Sequence, residues 1–168
     1  MTQAVQQPID ALPLFPLGTV LFPGGLLPLQ IFEVRYLDMI GKAIKAGTPF
    51  GVVALTQGHE VRQRRQPQTG DATPNGDGFA NEAFHAVGTL ATIVELEAPA
   101  PGLMTIRCVG KQRFRITASD QLKHGLWVAD VSRMNDDTAV AIPDDLKPVS
   151  QALANLIQSL QQRKPPQP

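Results

Sequence analysis

The amino-acid sequence predicts a mainly β fold with helices, of the α+β kind: a curled antiparallel sheet or partly closed barrel with helices packed on it. Three observations predict it. Apolar residues from Leu12 to Phe32 are punctuated by prolines and glycines, which suits short buried extended segments joined by tight turns. The stretch from Val87 to Met134 alternates apolar and polar residues in short runs bounded by turn residues, as in a sheet buried on one side. Two stretches, beginning near Glu33 and near Asp144, carry apolar residues at helical spacings of three and four.

The elements follow in order. Residues 1–10 are polar and unpatterned and read as a flexible tail. The first strand begins near Ala11, and because Pro13 and Pro16 cannot donate to a ladder it is an edge strand or an interrupted one. Gly18 and the Gly24-Gly25 pair suit turns, so Leu26 to Phe32 forms a second extended segment. A helix runs from about Glu33 to Ala46, with Glu33 near the positive end of its dipole and Gly47 and Pro49 stopping it. Phe50 to Thr56 is short and rich in β-branched residues, which makes a buried strand. From 58 to 83 the composition shifts to Gln, Gly, Asp, Asn, Pro and Arg, the mark of a long surface loop.

Four strands follow, at Val87 to Glu97, Leu103 to Cys108, Gln112 to Ala118 and Leu126 to Met134, with a turn at Pro99 to Gly102. The barrel domain therefore spans 11–134. Residues 135–164 hold a connector and a closing helix, packed on the barrel through Leu146, Val149, Leu153, Leu156, Ile157 and Leu160. Arg163 and Lys164 complement the end of that helix, Pro165-Pro166 prevent its continuation, and 165–168 form a tail.

At 168 residues the chain can close one core without disulfides or metals, and a second catalytic domain does not fit. Fifteen Lys plus Arg balance fifteen Asp plus Glu, so no net charge draws it to nucleic acid or anionic membrane. The single cysteine, Cys108, sits in an apolar alternating run and reads as a small core hydrophobe. The amino terminus has neither a basic start nor an apolar core, and no apolar run approaches spanning length, so a soluble cytoplasmic protein is expected.

Catalytic signatures are absent from the sequence. The Gly41-Lys42 and Gly110-Lys111 pairs lack the upstream glycine and following Ser or Thr of a phosphate loop. No serine lies in the Ser-Ala-Gly setting of a Ser-Lys peptidase. His59, His85 and His124 lack metal-ligand spacing. We therefore expect no catalytic residues, no cofactor and no metal.

Three ordered motifs carry a family resemblance. The run LPLFPL at 12–17, VLFPG at 20–24 and PLQIFEVRY at 28–36 resembles the opening of the Lon protease amino-terminal, substrate-binding domain. The form IFExRY is most like that of stand-alone members lacking the ATPase and peptidase domains. Val87 to Ile93 and Val109 to Ile116 are similar to that domain's VGTxAxI and GxxRxxI signatures. The resemblance implies a PUA-like pseudo-barrel and recognition of polypeptides without catalysis.

Candidate binding residues follow from both readings. Phe15 and Phe22 belong to an apolar lead-in larger than a short meander can bury, which suggests a groove for extended, apolar polypeptide. Glu33, Arg35 and Tyr36 match IFExRY and Arg113 matches GxxRxxI. Glu33 or the Tyr36 hydroxyl is expected to tie to Arg113, locking helix to sheet. Arg62, Arg64 and Arg65 are candidate nucleic-acid contacts, so binding of RNA or a nucleotide-related ligand is the alternative, although no aromatic residue interleaves with them. The expected partners are unfolded or apolar polypeptide segments in protein quality control, together with a separate protease or chaperone. Neither membrane nor nucleic acid is expected as a main partner.

Overall fold

The computed structural model describes residues 8–59 and 82–162. Its elements are β1 (Pro8–Leu17), β2 (Leu26–Ile31), α1 (Val34–Ala46), β3 (Phe50–Gln57), β4 (Ala83–Ala100), β5 (Leu103–Gln121), β6 (Trp127–Arg133), a 3-10 turn (Asp144–Leu146) and α2 (Lys147–Gln162). The chain divides into two units, Met1–Asp136 and Asp137–Pro168.

In the first unit the strands lie in the order β2-β5-β4-β3-β1-β6, and a further β5–β6 pairing closes five of them into a barrel. Closure depends on the length of β5. Its first half, Met104 to Val109, pairs with β2, while its second half, Phe114 to Gln121, pairs with β6. Gly110 lies at the handover. The sequence places a break between Cys108 and Gln112, but the structure runs β5 through it, so three strands stand where four are expected after the long loop.

The sheet is mixed, because β1 and β3 run parallel over Leu14 to Leu17 while every other pairing is antiparallel. β1 starts at Pro8, within the expected tail, and pairs with β6 only as far as Pro13. Beyond that it has β3 alone, so β1 is an interrupted strand: Pro13 falls where one ladder gives way to the other, while Pro16 stands within the β3 ladder opposite Val53. Ala11 sits at a bulge with φ 50° and its N–H donates to Asp130 Oδ1 at 3.0 Å, a local bond that supports an otherwise costly conformation.

Helix α1 begins after Glu33 and ends in a left-handed Gly47, φ 64°, as the sequence predicts. The Gly47 N–H donates to Ile44 C=O and the Thr48 N–H to Ala43 C=O, a pattern that satisfies carbonyls of the last turn and favours glycine at the left-handed position. Tyr36, Met39 and Ile40 from the helix join Phe15, Leu17, Ile31 and Phe50 in one core cluster. A second cluster forms around Phe114, with Leu12, Leu14, Val53, Leu90 and Val131. Cys108 is fully buried, and burial pushes its thiol up to about 12, so it is a small core hydrophobe.

In the second unit, α2 carries Val149, Leu153, Leu156, Ile157 and Leu160 along one stripe, and none of its residues is buried. No helix among the described residues is long and apolar enough to cross a membrane.

Candidate functional site

The lead-in from β1 to β2 is held down by the two downstream motifs. Thr89, buried on β4, donates its hydroxyl to the Leu21 carbonyl at 2.6 Å. Gly24 N–H donates to Gly110 C=O at 2.8 Å, Gly110 N–H to Gly25 C=O at 2.9 Å, and Gly25 N–H to Phe22 C=O at 2.9 Å. A Cβ on Gly110 would overlap the Phe22 carbonyl, so glycine there gives room rather than a turn. Thr89→Val keeps the shape of that side chain but leaves the Leu21 carbonyl buried without its donor. We expect a loss of about 1–3 kcal/mol, read by urea denaturation.

This anchoring separates two phenylalanines of equal type. Phe15 is buried, with its ring stacked 4.0 Å from that of Tyr36. Phe22 stands 70% exposed on the anchored turn, followed by Leu26 at 66%. Phe32 and Val34, at the junction of β2 and α1, are also exposed. A groove of about 360 Å³ lies at the Phe32 end, lined by Phe15 and Leu17 of β1, by 28–31 of β2, and by Phe32, Glu33 and Tyr36. On one flank β2 has β5 as its single strand partner among the described residues; on the other, β1 has only β3 beyond Pro13.

Below the groove, Arg35 is the tie between helix and sheet. The residue is 4% exposed, and its guanidinium spends its donors on three partners: Nε to Glu33 Oε2 at 3.0 Å, Nη1 to Gly125 C=O at 2.8 Å and Nη2 to Glu82 Oε1 at 3.1 Å. The other Glu82 oxygen accepts from Trp127 Nε1 at 2.9 Å, and Trp127 meets Phe84 edge to face at 5.2 Å. The guanidinium also lies 4.5 Å from the centre of the Tyr36 ring. One planar fork thus joins the start of α1, the start of β4 and the β5–β6 turn. The expected partner of Glu33 or Tyr36, Arg113, stands half-buried on β5 opposite Thr89. Glu82 and Trp127 were not legible as site residues: each is an ordinary residue in sequence, and only the fold brings them to Arg35.

The structure therefore brings Phe15, Glu33 and Tyr36 together in the groove wall, with Arg35 beneath and Phe22 at the far end of β2. Arg62, Arg64 and Arg65, most of the long loop, residues 1–7 of the tail, and 163–168 lie outside the described residues. Among the described residues no group of three His, Cys, Asp or Glu is placed to hold a metal ion. A second, smaller groove of about 290 Å³ lies between the end of α1 and β4, near Ile44, Val94 and Leu96.

Comparison with known proteins gives consistent matches. Residues 11–167 match the family model of the ATP-dependent protease La (LON) substrate-binding domain. The chain is 29% identical over 144 residues to a Lon protease of Flavobacterium johnsoniae, covering 82% of this chain and 16% of that protein. It is 29% identical over 128 residues to a Lon protease of Cytophaga hutchinsonii, covering 76% and 14%. The chain thus spans about a sixth of the length of these curated relatives. Among solved structures it is similar to a Lon N-terminal domain protein from Xanthomonas campestris, with 28% identity, TM-score 0.66, and coverage of 89% of this chain and 75% of that one. The N-terminal domain of the Mycobacterium avium complex Lon protease shares the fold at 17% identity and TM-score 0.52, over 92% and 69%.

Proposed function

The chain belongs to the Lon substrate-binding domain family, and from that membership we propose that it binds apolar segments of other polypeptides at the groove between β1 and β2. The observation that supports this most is the anchored apolar rim. Phe32 is exposed in the groove wall, and at the other end of β2 Phe22 and Leu26 are exposed beside a turn held by Thr89 and Gly110. Exposed rings on rigid backbone favour binding, because little conformational entropy is lost when a partner covers them. The finer role is that of a non-catalytic adaptor in protein quality control, which captures a polypeptide for a separate protease or chaperone.

Phe32 gives the test. Its ring lines the groove yet is 54% exposed, so Phe32→Ser leaves the core intact. With fluorescein-labelled, reduced and carboxymethylated casein as the probe, anisotropy titration is expected to show saturable binding that Phe32→Ser weakens at least fivefold. The melting temperature is expected to stay within about 2 °C, since a substitution on the surface changes stability by under about 0.5 kcal/mol. Casein is expected to remain uncleaved with or without ATP. Equal binding by the variant would remove the groove from the account.

A further inference from the structure

We propose that the outer edge of β2 accepts an added strand, an extended and uncharged segment of the bound polypeptide, paired to it through backbone hydrogen bonds. This rests on the polypeptide-binding reading above and specifies the form that the bound segment takes.

The ladder geometry supplies the argument. Among the described residues β2 pairs with β5 alone, and no backbone hydrogen bond from any other segment reaches 26–31. Gly110 N–H donates to Gly25 C=O, which makes Gly25 face β5. Antiparallel ladders alternate, so the backbone groups of Leu27, Leu29 and Ile31 also face β5 while those of Leu26, Pro28 and Gln30 face outward. Proline occupies an outward position, where its missing N–H takes nothing from the β5 ladder. The outer edge then offers three carbonyls and two N–H groups, repeating every second residue at roughly 6.7 Å. An extended chain matches that repeat. A helix cannot, because its own backbone groups are already paired.

Charge sets the second requirement. The sole charged side chain in the groove lining is Glu33, and its carboxylate is held by Arg35 at 3.0 Å. A charged residue buried there would lose its hydration without gaining a counter-charge, so the segment that fits is uncharged. β2 itself, LLPLQI, also lacks the lysines with which exposed edges are commonly guarded. Pro28 blunts the edge at one position only.

The test uses the full chain and an end-capped, labelled heptapeptide of alternating valine and threonine, with two isomers N-methylated on either the valine or the threonine amides. Pairing along one edge uses one alternate set of amides. One isomer is therefore expected to bind at least tenfold more weakly than the parent peptide and the other within about threefold. Gln30→Pro, which removes an outward donor and spares the β5 ladder, is expected to weaken the parent at least threefold with an unchanged melting temperature. Equal behaviour of the two isomers, whether both bind or both fail, would overturn strand addition. So would a parent peptide that fails to bind while casein binds; failure of both probes would overturn the polypeptide-binding reading itself. Self-association in sedimentation velocity that Gln30→Pro abolishes would put a second copy on the edge, and would also overturn the proposal.

Discussion

Arg35→Met is expected to destabilise the protein by about 3–5 kcal/mol, because it leaves the Glu82 carboxylate in a nearly dry site without its cation. For a chain of this size that is a fall in melting temperature of roughly 6–20 °C, read by calorimetry. Arg35→Lys recovers little, since one ammonium cannot meet Glu33, Gly125 and Glu82 as the three-way fork does. A second substitution separates charge from shape. Glu82→Gln keeps an acceptor for Trp127 but removes the unpaired charge, so the Arg35→Met/Glu82→Gln protein is expected to be more stable than Arg35→Met alone. A double variant no more stable than the single would show that the loss comes from packing, not from the stranded charge.

The second large effect lies in the barrel core. Phe114 is fully buried, and its ring fills the space that two glycines leave open: a Cβ on Gly51 would lie 2.7 Å from Phe114 Cζ, and one on Gly88 would lie 2.5 Å from it. Phe114→Ala is expected to cost about 3–5 kcal/mol by emptying that space, measured by urea denaturation. Gly51→Ala alone is expected to cost about 1–3 kcal/mol by overpacking. The neighbours of the new methyl are side-chain ends, Phe114, Leu14 and Leu12, so the same change should cost less once Phe114 is gone. At Gly88 no such relief is expected, because the added carbon would also lie 2.6 Å from the Val52 carbonyl on the backbone.

These glycines and arginines also show how far the sequence can be read. Periodicity placed α1 and its Gly47 stop within a residue, because an amphipathic face with a left-handed cap is a local feature. The alternating runs after the long loop were legible as strands for the same reason. Gly110 was not legible in its role. A glycine between two strand-like runs suggests a turn, yet its φ is not positive and β5 continues through it; what it provides is room for the Phe22 carbonyl. β4 extends back to Ala83 by pairing with the end of β3, Phe84 opposite Leu55 and Ala83 opposite Gln57, partners distant in sequence. The parallel β1–β3 pairing likewise follows from how the chain crosses over through β2 and α1, which no local pattern encodes.

The candidate site was legible in composition but not in arrangement. An excess of apolar residues in the lead-in pointed to a groove, but nothing in the pattern tells buried Phe15 from exposed Phe22. That difference is made by Thr89 and Gly110, whose hydrogen bonds hold the turn so that Leu21 points in and Phe22 out. The motif IFExRY marked the helix start correctly, while its arginine was expected only as one contact among several. Its centrality depends on Glu82, which lies 47 residues away.

Hydrogen–deuterium exchange of the full chain, with and without saturating carboxymethylated casein, tests most directly whether polypeptide is held at the β1–β2 groove. Bound casein is expected to slow exchange in peptides spanning Phe15 to Tyr36, above all at the outward amides of Leu26 and Gln30, and to leave the β5–β6 hairpin unchanged. Casein binding with protection confined to the β5–β6 hairpin, or with none between Phe15 and Tyr36, would contradict it.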